Sequence, residues 1–102
     1  PGNEQRRDEA CRLMTQHLDA KTPNPTRVWL LKQLERLGRT DCVAAITPLL
    51  EDADPRVREA ARRALTNNPA REAGAALREK LKATRKMTVQ NLIKNVLPTI
   101  TA

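Results

Sequence analysis

Apolar residues recur at helical spacing along most of the chain, in short runs separated by proline-bearing turns. The clearest unit lies between Asp41 and Leu65. Val43, Ile46, Leu49 and Leu50 form one stripe, and Val57, Ala60, Ala61, Ala64 and Leu65 form a second. Between them, Asp54 offers a carboxylate to the free amides of the next helical turn, and Pro55 occupies the first helical position, where its missing N–H costs nothing. The pattern predicts two antiparallel helices joined by an acidic turn.

That unit recurs on both sides. Asn24-Pro25 precedes Asp54-Pro55 by 30 residues, and Leu30, Leu31 and Leu34 fall on Ala60, Ala61 and Ala64 at the same offset. At an offset of 32, Val57, Ala60, Ala61, Ala64 and Leu65 fall on Val89, Leu92, Ile93, Val96 and Leu97. Met14, Ile46 and Leu77 correspond on the first helices, as do Leu18, Leu50 and Leu81. Three such units in phase predict a repeat architecture, because one helix pair cannot bury its apolar face without a stacked neighbour.

The pattern predicts six helices. Helix one covers about residues 4–20, with Ala10, Cys11, Leu13, Met14 and Leu18 inward and His17 partly buried at the edge of that face. Helix two covers 26–37 and ends at Gly38 as a C-terminal cap. Helix three covers 41–52, capped by Asp41 and kinked at Pro48. Helix four covers 55–66, followed by an Asn67-Asn68-Pro69 turn. Helix five runs from 69 or 70 to 83 with Ala73, Leu77 and Leu81 inward, and helix six from 86 to 97, ending before Pro98. Residues 1–3 are expected to be a disordered start, 4–98 a single repeat domain (repeats about 4–38, 39–68 and 69–98), and 99–102 a frayed tail. Pro1-Gly2 is not a natural start, so the chain is expected to be a piece cut from a longer repeat protein.

The run Leu49-Leu50-x-Asp52-x-Asp54-Pro55-x-Val57-Arg58-x-Ala60-Ala61-x-x-Ala64-Leu65 closely resembles the HEAT repeat in its short bacterial form, and the likeness extends over the whole chain. The resemblance implies an all-α fold, an α–α superhelix of three antiparallel pairs with the second helices lining the concave side. It implies no enzymatic activity. In the family, an Asp and an Arg at the positions of Asp52 and Arg58 link neighbouring turns, which makes Asp52, Asp54, Pro55 and Arg58 scaffold residues here. That ladder is interrupted, since Val28 and Gln90 stand where the other copies would carry the Arg.

Composition narrows the chemistry. With a single Trp and no Phe or Tyr, the core must be built from Leu, Ile, Val and Ala. Cys11 and Cys42 lie 31 residues apart on neighbouring first helices and are expected to be buried free thiols. His17 is the only histidine, so no metal site is expected, and nothing in the sequence calls for a cofactor. No nucleophile elbow or phosphate-cradling Gly-rich loop is present. No stretch approaches the ~18 apolar residues of a membrane span.

Function is expected on the outer face of the second helices. Lys32, Arg62 and Lys94 are equivalent positions and predict a basic row, with Gln33, Arg63 and Asn95 beside it and Trp29 at its flank. Trp and Arg are the residues that most often dominate binding energy. The net charge is +7, and no acidic residue follows Glu79. These features predict a non-enzymatic interaction scaffold that takes an acidic protein or peptide through Trp29, Lys32, Arg62, Arg63 and Lys94. The alternative is a nucleic-acid-binding module using the same ridge. A more distant one, by analogy, is an accessory protein of the chromophore-lyase kind. Uncapped terminal repeats also make end-to-end self-association an expected property.

Overall fold

The computed structural model describes the backbone of residues 2–101 and the side chains of residues 3–96. It contains α1 (Gly2–Gln16), α2 (Asn24–Leu37), α3 (Thr40–Ile46), a 3₁₀ segment (Thr47–Glu51), α4 (Pro55–Thr66) and α5 (Arg71–Thr101). α1 and α3 pack together, α3 also meets α5, and α2 packs beside α4 in a second row. The first helices of successive units therefore form one layer and the second helices another, as a stacked repeat requires.

The middle unit forms as its residues dictate. Asp54 accepts from the Arg56 amide at 2.8 Å and Pro55 opens α4. On the other side of the turn, Pro48 shows itself as a change of helix type. The α-helix ends at Ile46 and continues as 3₁₀ to Glu51, with the Thr47 hydroxyl donating to the Val43 carbonyl at 2.7 Å. Asp41 does not cap α3. The cap position is Arg39, and Asp41 lies in the first turn, where its charge still suits the helix N-terminus.

Burial centres on Leu31, Leu34, Ile46, Val57 and Leu65, with Cys11 and Cys42 fully enclosed as free thiols. Ala60, Ala61 and Ala64 of α4 and Ala73 of α5 are buried in the same core. Gly38 ends α2 as its C-cap, its amide donating to the Leu34 carbonyl, with a φ of −72° that is ordinary extended backbone. Its reason is space: a Cβ there would run into Cys42 Sγ and stand 2.7 Å from the Leu34 carbonyl oxygen. Asn68 is buried and works in two directions, accepting from the Ala70 amide at 2.8 Å and donating to the Arg39 carbonyl at 3.0 Å.

Three expectations for helix one change. α1 stops at Gln16, Leu13 is 48% exposed, and His17 lies in the open at the helix end rather than partly buried. α1 begins at Gly2, inside the expected disordered start, and Pro1 falls outside the described residues.

The largest departure is in the third repeat. In place of two helices there is one, α5, 31 residues long and continuous through Pro98 to Thr101, so the described residues hold five α-helices, not six. The expected tail 99–102 lies on this helix except Ala102, which falls outside the described residues. The cause is visible at Ala83-Thr84-Arg85-Lys86, the expected turn. The other units place proline and an Asx residue there (Pro23-Asn24-Pro25, Asp54-Pro55), and this one has neither. Thr84 and Thr88 instead bond back to the Lys80 and Thr84 carbonyls, both at 3.0 Å, and the helix runs on. The distal half of α5 projects from the body, giving extents of 68 × 29 × 15 Å and a radius of gyration of 17.3 Å, against ~13 Å for a compact chain of this length.

Candidate functional site

Two shallow grooves run along the second-helix face, one on each side of α4. The first lies between α2 and α4, encloses about 670 Å³, and is lined by Val28, Lys32, Arg36, Arg56, Ala60 and Arg63 together with Glu35, Glu59 and Pro55. The second, of about 390 Å³, lies between α4 and the proximal part of α5, over Leu50, Leu77 and Leu81. Pro55 and Glu59 line both and form the ridge between them.

The α2–α4 groove has an apolar floor and basic walls. Arg63 approaches Glu35 at 3.6 Å, and Arg56 pairs with Asp54 at 3.3 Å. Glu59 is engaged by Arg62 in a two-point contact, which holds its carboxyl below the usual range and raises the guanidinium in return. Among the described residues Lys32 and Arg36 have no ion-pair partner, so the groove presents two uncompensated cations over Val28 and Ala60.

Of the residues singled out from the sequence, Lys32 and Arg63 meet in this groove. Arg62 faces the other one. Trp29 is 58% exposed and lines neither, but on a helical wheel it falls within ~20° of Arg36 and so flanks the basic wall. Lys94 stands exposed on the projecting half of α5. The three-membered row of Lys32, Arg62 and Lys94 is therefore not formed, because the helix that should carry its third member never turns back. Arg36 and Arg56 were not singled out. Helical spacing puts Arg36 on the outer half of α2 with Lys32, but the two become part of one surface with Arg56 only when α2 and α4 are set side by side.

A polar clamp holds that pairing together. Arg27 is buried and donates to Asp52 at 2.9 Å and to Asn24; the Asn24 amide donates to Asp54 at 3.0 Å. Asp52 also accepts from the Asp54 amide at 2.9 Å. That amide first, and Arg27 second, keep the Asp52 carboxyl below its ordinary range. Asp52 and Asp54 thus tie the turn before Pro55 to Arg27 and Asn24 of the preceding repeat. Arg58 takes a different part from the one the resemblance implied: its guanidinium donates to the Asp52 and Ala53 carbonyls at 2.8 and 3.1 Å, and the carboxylate belongs to Arg27. Arg27 was missed, although a cation at the register position of the apolar Val57 is a signal that it sits in the core with a partner.

Helix pairs stacked in two layers, with linked turns between repeats, are matched by a comparison with protein families, in which a family model described as HEAT repeats covers residues 8–96. The chain belongs to the HEAT-repeat family. No curated protein and no solved structure matched it. HEAT repeats generally mediate protein–protein interaction, and the family is typically a non-enzymatic scaffold. No helix among the described residues is long and apolar enough to cross a membrane.

Proposed function

We propose that this HEAT-repeat chain is a non-enzymatic binding module that seats an acidic segment of a partner protein in the α2–α4 groove. The supporting observation is the pair of uncompensated cations, Lys32 and Arg36, set above the apolar Val28–Ala60 floor. An amphipathic acidic segment satisfies both at once, its apolar side chains on the floor and its carboxylates on the wall. Arg63 and Arg56 extend the wall, and Trp29 offers a large exposed ring at its edge for a rim contact. Arg62 and Lys94, on other surfaces, add long-range attraction but no contact. The groove is short and its basic side chains are interleaved with Glu35 and Glu59, an arrangement that suits a peptide better than a phosphate track.

The test is site-specific photocrosslinking in cells from a probe at Lys32, compared with one at Arg12 on the opposite layer. Discrete protein adducts from position 32, lost when Arg36→Glu is added, support the reading. Equal adducts from both positions, or adducts removed by nuclease, overturn it.

A further inference from the structure

The described chain carries the two halves of a third repeat, and they do not meet. One half is the groove between α4 and proximal α5, floored by Leu50, Leu77 and Leu81. It continues the row in which α2 packs beside α4, so it is the seat of the next second helix. The other half is the stripe of Val89, Leu92, Ile93 and Val96 on distal α5, with 47–58% of each side chain exposed. Those positions correspond, at the offset of 32, to Val57, Ala60, Ala61 and Ala64, all buried in α4. The stripe has the register of a packed second helix and nothing beneath it.

We infer that the seat is filled by a second copy of this chain: the distal half of α5 from each copy lies in the α4–α5 groove of the other, completing two third repeats by exchange. A straight α5 cannot serve its own groove. Leu81 and Val89 are eight residues apart on one continuous helix, which separates them by about 12 Å along its axis. Two α5 helices laid antiparallel remove that obstacle. At 100° per residue Leu77 and Leu81 open a sector that Leu92, Val96, Val89 and Ile93 continue to ~160°, so the seat and the stripe adjoin on one side of α5. The surface is self-complementary about a two-fold axis, the arrangement that closes a pair instead of growing a fibre. The apolar side chains exposed from Leu81 to Val96 amount to on the order of 500 Å² per copy, or ~1,000 Å² for the pair, near the lower bound of a specific interface. The inference does not depend on what binds the α2–α4 groove.

The experiment uses the whole chain. Light scattering on the eluting peak gives the mass of the unaltered chain, of Leu92→Asp and of Leu81→Asp, with circular dichroism as a check that each remains helical; both residues are exposed in the single copy, so neither change removes a core contact. A dimer is expected for the unaltered chain and a monomer for each variant. An equimolar mixture of the two variants should regain a weaker dimer, since one intact stripe then meets one intact groove. Leu81→Cys/Val89→Cys is then oxidised. The two positions lie too far apart in a straight α5 for the ~7 Å reach of a disulfide, so a band of twice the chain mass supports exchange. A monomer at every loading concentration, an intrachain disulfide, or a dimer that persists in Leu92→Asp overturns it.

Discussion

The pairing of Arg27 with Asp52 is the most consequential contact that the sequence did not announce, and its removal makes an asymmetric prediction. The two side chains are only 7% and 15% exposed, and each has further partners: Asn24 for Arg27, the Asp54 amide for Asp52. Breaking a buried pair by deleting one member costs ~3–5 kcal/mol, most of it from the charge left behind. The two deletions leave different charges. Arg27→Met strands a carboxylate that is the more exposed of the two and keeps its backbone donor, so the loss should sit below that range, at about 2 kcal/mol. Asp52→Ala strands a guanidinium that is nearly enclosed and whose Nε already has no partner, and it also orphans the Asp54 amide. That loss should reach about 3 kcal/mol or more, lowering Tm by at least ~10 °C at the ~4–8 °C per kcal/mol of a domain this size. Urea unfolding followed by circular dichroism reads both variants, and the double variant should show a coupling of ~1–2 kcal/mol. A coupling under ~0.3 kcal/mol, or a larger loss for Arg27→Met than for Asp52→Ala, refutes the reasoning.

The same site sets an acid limit. The Asp54 amide first and Arg27 second hold the Asp52 carboxyl below its ordinary range, so its contribution is fully present above the unfolded aspartate value and lost as pH falls through the folded one. The stability of the unaltered chain should therefore drop below about pH 4 more steeply than that of Asp52→Ala. Equal slopes would detach the carboxylate from the clamp.

Three further outcomes follow from the core. Gly38→Ala should cost about 1–3 kcal/mol in thermal unfolding, because its methyl group meets Cys42 Sγ and the Leu34 carbonyl with no room to move; an unchanged Tm would contradict the close approach. Asn68→Ala removes a buried side-chain amide that accepts from the Ala70 amide in the turn before α5 and ties the Arg39 carbonyl, with an expected loss of about 1–2 kcal/mol, and a loss confined to a few tenths would refute that role. Burial first and Asp41 second push the Cys42 thiol up to about 11, and burial raises Cys11 as well. At about pH 8 both thiols should react with a disulfide reagent only as fast as the chain opens, and at once in denaturant; immediate reaction of the native chain would show them accessible.

The middle repeat was legible because every local signal in it agrees. Asp54-Pro55 starts a helix, the apolar spacing faces one way, and α4 has the bounds its residues predict. The third repeat was misread for a reason that lies in what its sequence lacks. Val89, Leu92, Ile93 and Val96 carry the register of a second helix, but Ala83-Thr84-Arg85-Lys86 supplies no residue that ends the first one. Apolar periodicity says which side of a helix is to be covered, not where the chain turns, and only proline, glycine or an Asx cap settles that. The site divides along the same line. Lys32 and Arg63 were both placed on the outer face of the second helices, but equivalence between repeats set Lys32 beside Arg62, and the packing of α2 on α4 puts Arg63 there instead. Lys94 was not legible, because its position relative to the others depended on the turn that α5 omits. Arg27 shows the converse case, a charged residue in an apolar register slot whose partner lies 25 residues away. There the exception to the pattern marked the inter-repeat contact more directly than the family motif did, because a cation at the place of Val57 is tolerated only where a carboxylate from the next turn reaches it.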